Sequence, residues 1–583
     1  MKHRTQKIAA CLMASVLMMS GCSLPGKETD TCPYEEFLVV DVFDSLSNYQ
    51  GIQSGWFAKI VKDKFNMELN IIAPNVSGGG DTLFEVGSAA GNLGDLIICS
   101  GENGRLQELV SRGLLADLNS YLEDKQIMRF ETAIRLMNDP VEEGSIYAIP
   151  SELSMNDPST PKETVESTYS PCIRWDLYQA LGYPQVETLE DLLPLLLEMQ
   201  ELEPIAENGE KTYGFSFFRD WDKNMMAAAK QFCSLYGYEE CGFVLAKGDS
   251  SDFQNIVDPD SLYVRSLHLL FEANQMGLVD PESGTQSYGS LYEKYEAGQI
   301  LFSPWPWLSK IQYNTDERKS EGKGYMMIDI ADMEIYSYGC SPEGNYNTVI
   351  AVGSKAKDPE RMADFIDWLY SPEGIQLSGA DSLYGTAGPE GLCWEYGENG
   401  PYLTEFGEQA LSGIPTEMPE SYGGCLWSDG ICRLNYTPVC KSDPDNNGYP
   451  YQYQLWDSLI ESDSSPLEED WRRVMNADTS MEYLIENDKL LVSPGCGYTA
   501  EEETTEETTI RTQCQNAIQS YSWNMVFASD ETAFSTLLSE LQEELNSLGY
   551  EKLLALDLKN AKAREQKKQE TLEKYSITKE ESK

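Results

Sequence analysis

The stretch Phe37-Leu38-Val39-Val40-Asp41-Val42-Phe43 is a nearly uninterrupted apolar run of strand length, and it predicts a buried β-strand. An apolar stripe at helical spacing follows within residues 56–61, and further apolar strands are predicted at residues 69–72 and 94–99. Strands that alternate with helices in this way form right-handed crossovers and a parallel sheet. The N-terminal part of the chain therefore predicts an α/β fold.

Polar side chains stand just beyond the carboxyl ends of two of these predicted strands. Asp44 and Asn48 follow the first strand, and Ser100 follows the strand at residues 94–99. In open α/β sheets, ligands bind in the crevice outside the carboxyl ends of the strands. We therefore expect these three side chains to contribute to a ligand site.

The order of later segments predicts two discontinuous units, as expected for a chain of 583 residues, which exceeds what one core supports. An apolar strand at residues 299–303 leaves the second unit, and another at residues 347–352 returns to the first. A helix then begins with Asp358 as N-cap and Pro359 at its first position. We predict lobe 1 at residues 37–150 and 311–375, lobe 2 at residues 151–310 and 376–550, and a charged, solvated tail at residues 551–583.

The N-terminus has the three parts of a secretory signal. Lys2, Arg4 and Lys7 precede an apolar run at residues 8–19, and Ser20-Gly21-Cys22 follows. That run is shorter than the roughly 20 residues of a membrane-spanning helix. The triplet resembles the lipobox of bacterial lipoproteins, although Met19 stands where that pattern usually has Leu. The resemblance implies a signal peptide at residues 1–21, a diacylglycerol on Cys22 and a polar tether at residues 22–36. An ordinary secreted protein is the alternative.

Composition argues against nucleic-acid and multi-histidine metal chemistry. The net charge of −53 repels phosphate backbones. His268 is the single histidine beyond the signal, and its apolar surroundings favour a structural role. Twelve cysteines remain besides Cys11 and Cys22. An exported chain permits disulfides, for example between Cys233 and Cys241 or among Cys425, Cys432 and Cys440, and buried free thiols are the alternative.

One short motif is related to calcium binding. Asp443-Pro444-Asp445-Asn446-Asn447-Gly448 matches the first half of an EF-hand loop, which would place Asp443, Asp445 and Asn447 as ligands. The twelfth position is Gln454 instead of the bidentate Glu. We favour an Asx-rich surface turn and expect no cofactor.

Several segments, in the same order, resemble bacterial extracellular solute-binding lipoproteins of ABC-type sugar importers, the family 1 solute-binding proteins. They extend over most of residues 37–550. The segments are residues 94–97 (GDLI), 113–119 (GLLADLN), 146–150 (IYAIP), 173–177 (IRWDL), 188–192 (TLEDL), 365–374 (FIDWLYSPEG) and 523–534.

This resemblance implies two α/β lobes of the type II periplasmic-binding-protein fold, each a sheet flanked by helices and joined by a hinge. It also implies a carbohydrate ligand, an ABC permease as partner, a lipid anchor on the outer face of the cell membrane, and no enzymatic activity. Sugars present apolar C–H faces to aromatic rings, and the chain contains 11 Trp and 33 Tyr. Trp305 and Trp307, at the inferred lobe crossover, are the leading candidates for ligand stacking. Trp175, Trp221 and Trp427 are further candidates.

Two other functions remain open at this point. An exported glycoside hydrolase would need a pair of carboxylates, which cannot be selected among 96 acidic residues. An adhesion lipoprotein would predict repeats, and none is found. Incubation with oligosaccharides separates the three, because a hydrolase turns them over, a receptor binds them unchanged and an adhesin does neither.

Overall fold

The computed structural model describes residues 32–74, 81–102, 104–382, 385–460, 465–501 and 503–576. The predicted signal peptide and Cys22 lie outside the described residues, as does most of the tether. Within the described ranges, no helix combines the length and apolarity of a membrane span.

The strands are numbered here in chain order. They are β1 Leu38–Asp44, β2 Gly51–Ile52, β3 Met67–Ile72, β4 Leu96–Cys99, β5 Ala148–Ser151, β6 Cys172–Arg174, β7 Tyr238–Cys241, β8 Val244–Lys247, β9 Phe253–Asn255, β10 Phe302–Ser303, β11 Tyr325–Met327, β12 Ile335–Tyr338, β13 Asn345–Val352, β14 Trp394–Gly397, β15 Gly400–Leu403 and β16 Leu490–Ser493.

The helices are numbered in the same way, with short 3-10 turns left unnumbered. They are α1 Gly55–Phe65, α2 Asp81–Ala90, α3 Arg105–Ser111, α4 Asn119–Leu122, α5 Glu131–Asn138, α6 Trp175–Ala180, α7 Leu192–Leu202, α8 Ala227–Ser234, α9 Leu262–Gln275, α10 Tyr288–Glu296, α11 Pro306–Tyr313, α12 Asp316–Ser320, α13 Pro359–Leu369, α14 Pro372–Ser378, α15 Glu405–Leu411, α16 Asp457–Ile460, α17 Pro466–Met475, α18 Ser480–Glu486, α19 Thr505–Val526, α20 Glu531–Leu548 and α21 Tyr550–Tyr575.

The first lobe is built on a mixed sheet with the strand order β2-β3-β1-β4-β13-β5. As predicted, β1 runs parallel to β3 and to β4, with Val40 opposite Leu69 and Val42 opposite Leu96. The returning strand β13 is antiparallel to β4 and β5. The parallel part of the sheet brings the carboxyl ends of β1 and β4 to one edge.

Both faces of this sheet are covered, because alternate residues along a strand point to opposite sides. In β4, Leu96 and Ile98 face a cluster with Phe57 of α1 and Phe365 of α13. Ile97 and Cys99 face the other way, into a second cluster with residues of α2 and α3. A strand buried on both faces has to be apolar throughout, which explains the continuous apolar runs of the sequence.

The loop-rich segment after α14 packs differently from the prediction, which assigned residues 376–550 to lobe 2. Within that segment, Trp394, Trp427 and Trp456 are buried in the core of the first lobe. The Trp56 indole nitrogen donates to the carbonyl of Trp427 at 2.9 Å, and the two rings stack. Such a segment has little periodicity, so its packing partner cannot be identified from its own sequence.

The second lobe has one large apolar cluster, formed by parts of residues 173–335 and 467–553. Its strands form small sheets with the orders β10-β6-β11, β7-β8-β9 and β12-β16. Because β11 pairs with β6, residues 325–327 belong to this lobe, although lobe 1 was predicted to resume at residue 311.

The charged C-terminal segment forms the long helix α21, and the prediction of a solvated tail for residues 551–583 is wrong for its described part. Leu553, Asp557, Ala561, Glu565 and Lys568 of this helix are all buried against the second lobe. The charged groups tolerate burial because they pair, as Lys568 does with Glu565 at 2.6 Å. Sequence composition alone cannot reveal such pairing.

Neighbouring extended segments form the hinge between the lobes. One connection runs from β5 to β6, and another from β12 to β13. Leu153 of the first connection forms parallel bridges both to Ser341 of the second and to Val439 of the first lobe. The backbone amide of Ser154 donates to the carbonyl of Ser341, and that of Cys440 donates to the carbonyl of Leu153. The connections therefore lie side by side where the lobes meet.

Candidate ligand-binding cleft

An aromatic wall on the second lobe, formed by Trp221, Tyr288, Trp305 and Trp307, borders the interlobe region. The rings of Trp221 and Tyr288 stack with centroids 5.2 Å apart, and those of Trp221 and Trp307 are 6.0 Å apart. Trp221 is 43% exposed, whereas Trp305 is 6% exposed. The wall therefore combines rings that a ligand can reach with a ring that supports them.

Local backbone structure fixes the position of Trp305 and Trp307. The hydroxyl of Ser303 accepts from the Trp305 amide at 3.1 Å and donates to the Trp305 carbonyl at 2.9 Å. Pro306 occupies the first position of α11, where a missing amide costs nothing. The structure places the two predicted stacking residues in different environments, because Trp305 is buried in the wall while Trp307 lines a cavity.

That cavity, the interlobe cavity, has a volume of about 410 Å³ and is lined by both lobes and the hinge. Trp307 and Tyr338 contribute rings from the second-lobe side, and Lys441 and Gln452 contribute polar groups from the first lobe. The remaining lining residues are Glu152, Lys162, Glu163, Thr164, Val165, Glu166, Ser167, Thr168, Thr437, Cys440 and Ser442.

Further cavities adjoin the interlobe cavity on two sides. A cavity of about 620 Å³ shares Val165 and Glu166 with it, and one of about 350 Å³ shares Glu152, Lys162 and Tyr338. Shared lining residues make the three spaces neighbours along the boundary between the lobes. Together the three spaces are larger than a single sugar ring needs.

Hydrogen-bonding groups line the interlobe cavity in definite orientations. Glu152 forms an ion pair with Lys162, and Thr164 donates to the Gln452 amide oxygen at 3.0 Å. Although burial opposes ionisation, Lys162 holds the pKa of Glu152 below its ordinary value. Burial lowers the pKa of Lys441. Planar acceptors and amide or ammonium donors beside an aromatic ring are the groups that recognise hydroxyl-rich ligands.

Beyond the carboxyl ends of β1 and β4, the residues predicted as ligand contacts have other surroundings. Asp44 is fully buried, accepts from the Asn435 amide at 2.7 Å, and has its pKa raised to about 6 by burial. Asn48 is exposed, and Ser100 accepts from the backbone amide of Glu102 at 3.2 Å. The three cavities between the lobes are not lined by the described residues Asp44, Asn48 and Ser100. Nearby Glu102 does line the cavity of about 350 Å³.

Glu102, two residues beyond the predicted Ser100, is a cavity residue that the sequence analysis missed. Burial raises its pKa to about 7, and the Arg564 guanidinium of the second lobe opposes that shift. Glu102 and Arg564 line the same cavity from opposite lobes. No sequence signal marks Glu102, because Arg564 lies far along the chain.

Two of the predicted aromatic contacts are core residues. Trp175 is 1% exposed in the second-lobe core, where its indole nitrogen donates to Asp470 at 2.9 Å. Trp427 is 3% exposed in the first-lobe core against Trp56. Burial in both lobe cores places these two rings away from the cleft surface.

The calcium-like turn has its carboxylates engaged by protein donors. Asp443 accepts from the Ser154 hydroxyl at 2.6 Å, from the Met155 amide and from the Asn156 side chain. Asp445 accepts from the amides of Asn447 and Tyr449 at 2.8 and 3.0 Å. These contacts form an Asx turn and tie Asp443 to the hinge.

The chain is similar to known proteins in its structure. No family model and no curated protein sequence matches the chain. Solved structures do match over their full length. The alginate-binding protein AlgQ2 has 12% identity and a TM-score of 0.59, covering 92% of this chain and 100% of its own.

Two further similar structures agree with the first. The S. pneumoniae ABC-transporter substrate-binding protein FusA, in complex with kestose, has 14% identity and a TM-score of 0.58, covering 91% of this chain and 99% of its own. The chain has the two-lobed solute-binding-protein fold. An HMO-binding, ABC-transporter-associated solute-binding protein from Bifidobacterium longum infantis has 14% identity and a TM-score of 0.56, covering 90% of this chain and 98% of its own. At such identities the likeness establishes the fold, and the predicted fold class is confirmed.

Proposed function

We propose that this chain is a solute-binding protein that captures a carbohydrate between its lobes and delivers it to an ABC importer. The observation that carries the proposal is Trp307, which faces the interlobe cavity and is backed by Trp221 and Trp305. A rigid ring beside oriented polar groups matches a sugar, which has an apolar face and an edge of hydroxyls.

An oligosaccharide is the favoured ligand because the cavities adjoin one another. The interlobe cavity of about 410 Å³ shares residues with neighbours of about 620 and 350 Å³. The ligand named for the FusA structure is kestose, and AlgQ2 is named as alginate-binding. These names support a saccharide of more than one ring as the first class to test.

Titration calorimetry with mono- and oligosaccharides tests the proposal directly. A ring stacked on a sugar contributes about 1–3 kcal/mol, so Trp307→Ala should weaken binding roughly ten- to hundredfold. Tyr402→Ala is the matched control, because Tyr402 is a 39% exposed aromatic residue on the β14–β15 hairpin. Saturable binding of a peptide or amino acid, with no saccharide bound, would contradict the carbohydrate assignment.

A glycoside hydrolase is the alternative, and the carboxylates beside Trp307 argue for binding. Glu152 pairs with Lys162, Glu166 with Lys310, and Glu163 accepts from Thr168 and Ser337. A hydrolase needs a carboxyl group whose pKa is raised so that it can act as an acid. The pKa of Glu152 is lowered, whereas burial raises that of Glu102, in the adjoining cavity of about 350 Å³, to about 7, so Glu102 is the carboxyl group that a hydrolase could use. Chromatography after long incubation should return each bound oligosaccharide intact, and released shorter sugars would favour the hydrolase.

Export and lipid anchoring at Cys22 form part of the proposal, and they rest on the sequence of the signal region. Cys22→Ala should release the protein from the membrane fraction or leave an uncleaved precursor. Metabolic labelling with a fatty acid is the measurement, and labelling that persists in Cys22→Ala would exclude this anchor.

Delivery to a permease is tested in cells. Deletion of the chain should abolish uptake of the sugar that the purified protein binds, and the unmodified chain should restore uptake. Trp307→Ala should restore it only at raised sugar concentration, because its defect is in affinity. Unchanged uptake after deletion would show that the bound sugar enters by another route.

A further inference from the structure

Two cysteines meet at the hinge, on segments that belong to different parts of the fold. Cys340 lies in the connection between β12 and β13, and Cys440 lies in the first-lobe segment beside it. Their sulfur atoms are 3.9 Å apart. Among the cysteines of the described ranges, this is the pair whose thiols are in contact, although the two residues are a hundred positions apart in sequence.

Backbone contacts hold both residues in this arrangement. The amide of Cys340 donates to the carbonyl of Thr160 at 2.8 Å, and that of Cys440 donates to the carbonyl of Leu153 at 3.0 Å. Cys340 is 1% exposed and Cys440 is 3% exposed. Both line the adjoining cavity of about 350 Å³, which gives a small reagent a route to the sulfur atoms.

We propose that Cys340 and Cys440 form a disulfide that joins the hinge connection to the first lobe. A disulfide bond is about 2.05 Å long, so the sulfur atoms must approach by roughly 2 Å. Leu153 forms bridges to both segments, at Ser341 and at Val439, so this approach requires the segments to shift as well as the side chains to rotate. Oxidising conditions outside the cell favour the bond, and in this respect the inference rests on the proposed export. Whether the pair can be oxidised does not depend on sugar binding.

The oxidation balances as a thiol–disulfide exchange with a small or protein disulfide as oxidant. Cys340, as thiolate, attacks one sulfur of the oxidant, forms a mixed disulfide and releases the first oxidant thiol. Cys440 then loses its proton and attacks the Cys340 sulfur, which releases the second oxidant thiol. Two protein thiols become one disulfide, and the oxidant disulfide is reduced to two thiols that take up the two protons.

A metal ion held by Cys340, Cys440 and Asp443 is the competing use of this cluster, because all three ligand atoms lie close together. The Asp443 carboxylate already accepts from Ser154, Met155 and Asn156. A metal would have to compete with those three donors for the carboxylate oxygens. The two sulfur atoms are 3.9 Å from each other, and their other hydrogen-bond contacts are with the uncharged Ser442 hydroxyl and Pro161 carbonyl, which leave the thiols free to react together.

The bond should stabilise the folded protein by closing a long loop at the hinge. Cys340 belongs to a connection that leaves the second lobe, and Cys440, in a first-lobe segment, is hydrogen-bonded to Leu153 of the other connection. A covalent link between them encloses residues 340–440 in one loop and removes freedom from the unfolded chain. We expect the oxidised protein to unfold at a higher temperature than the reduced protein.

Peptide mapping of the purified full-length protein tests the disulfide. The reduced protein is incubated with reduced and oxidised glutathione in graded ratio, alkylated, digested under denaturing conditions and analysed by mass spectrometry. We expect a peptide pair linked through Cys340 and Cys440, lighter by two hydrogen atoms than the separate peptides. If both Cys340 and Cys440 are still alkylated under conditions that oxidise the other accessible thiols, the proposal is overturned.

Cysteine variants and a zinc-binding measurement distinguish the disulfide from a metal site. Cys340→Ser and Cys440→Ser should each lose the linked peptide and the rise in melting temperature, whereas Cys233→Ser should keep both. Cys233 is a matched control because its thiol is equally buried but has the Ser266 hydroxyl, instead of a second thiol, as its neighbour. Zinc that stays bound through dialysis and prevents oxidation would replace the disulfide with a metal site. Trp307→Ala should oxidise normally, which separates this result from a failure of the sugar proposal.

Discussion

At the scale of single residues, neighbouring tryptophans have different roles. Trp305 is 6% exposed and packs on Phe218 and Trp221, whereas Trp307 borders the interlobe cavity. Removing a buried indole leaves a void that its surroundings fill only in part. We expect Trp305→Ala to lower the unfolding free energy by about 3–5 kcal/mol and Trp307→Ala to lower it less.

Urea unfolding of both variants measures this difference. An unfolding midpoint of Trp305→Ala equal to that of the unmodified protein would show that Trp305 does not support the aromatic wall. Trp307→Phe is a useful companion, because it keeps an aromatic ring and should retain most of the affinity lost in Trp307→Ala.

Glu102 should make stability depend on pH. Burial raises its pKa to about 7. A carboxyl group with a raised pKa binds its proton more tightly in the folded than in the unfolded state, so the folded protein gains stability as pH falls through 7. Above pH 7 the ionised group costs at most about 3 kcal/mol, at 1.36 kcal/mol per pKa unit.

Glu102→Gln should therefore be more stable than the unmodified protein at pH 8, and the two should be nearly equal at pH 4.5. Denaturant unfolding at both pH values is the measurement. Glu131→Gln is the control, because the Glu131 side chain is 56% exposed. Equal stability of Glu102→Gln and the unmodified protein at pH 8 would contradict the assignment.

At the scale of elements, the C-terminal helix α21 joins the second lobe through buried charges. Asp557 accepts from the Phe243 amide at 2.7 Å and pairs with Arg511, also at 2.7 Å. Removing Asp557 leaves the buried Phe243 amide without its acceptor and leaves Arg511 with Glu503 alone. Asp557→Ala should therefore lower the unfolding free energy by about 1–3 kcal/mol, the cost of an unsatisfied buried polar group.

An exposed ion pair between Lys559 of the same helix and Glu501 provides the comparison. Lys559 and Glu501 are 2.8 Å apart, with side chains 61% and 68% exposed. Solvent screens such a pair, so Lys559→Ala should cost less than about 1 kcal/mol. Similar losses in Asp557→Ala and Lys559→Ala would show that α21 does not depend on its buried charges.

At the scale of the whole molecule, cavities between two lobes and a hinge of parallel segments predict closure around a ligand. A saturating oligosaccharide should reduce the radius of gyration in solution scattering. It should also raise stability, by about 2.7 kcal/mol at a hundredfold excess over Kd. At the same sugar concentration Trp307→Ala should show a smaller stabilisation, about 0.4–1.4 kcal/mol, because a ten- to hundredfold weaker affinity leaves it only partly saturated. An unchanged radius alongside full calorimetric binding would indicate a ligand held by one lobe.

The amino-acid sequence by itself determined the α/β class, the apolar strands of the first sheet and the helix that begins after Asp358, whose side chain caps the Arg361 amide. These features depend on side chains close in sequence, through strand alternation, helical periodicity and capping. Trp307 could be selected as a candidate because it follows a predicted strand near the lobe crossover.

Only the tertiary structure decided the features that depend on distant partners. Trp427 meets Trp56, Asp557 meets Arg511, and Cys340 meets Cys440. Periodicity shows which face of a segment is apolar, but not which other face will cover it. A charged residue is buried when a partner far along the chain compensates its charge. For that reason the placement of residues 376–460, the C-terminal helix and the hinge thiols required the folded chain.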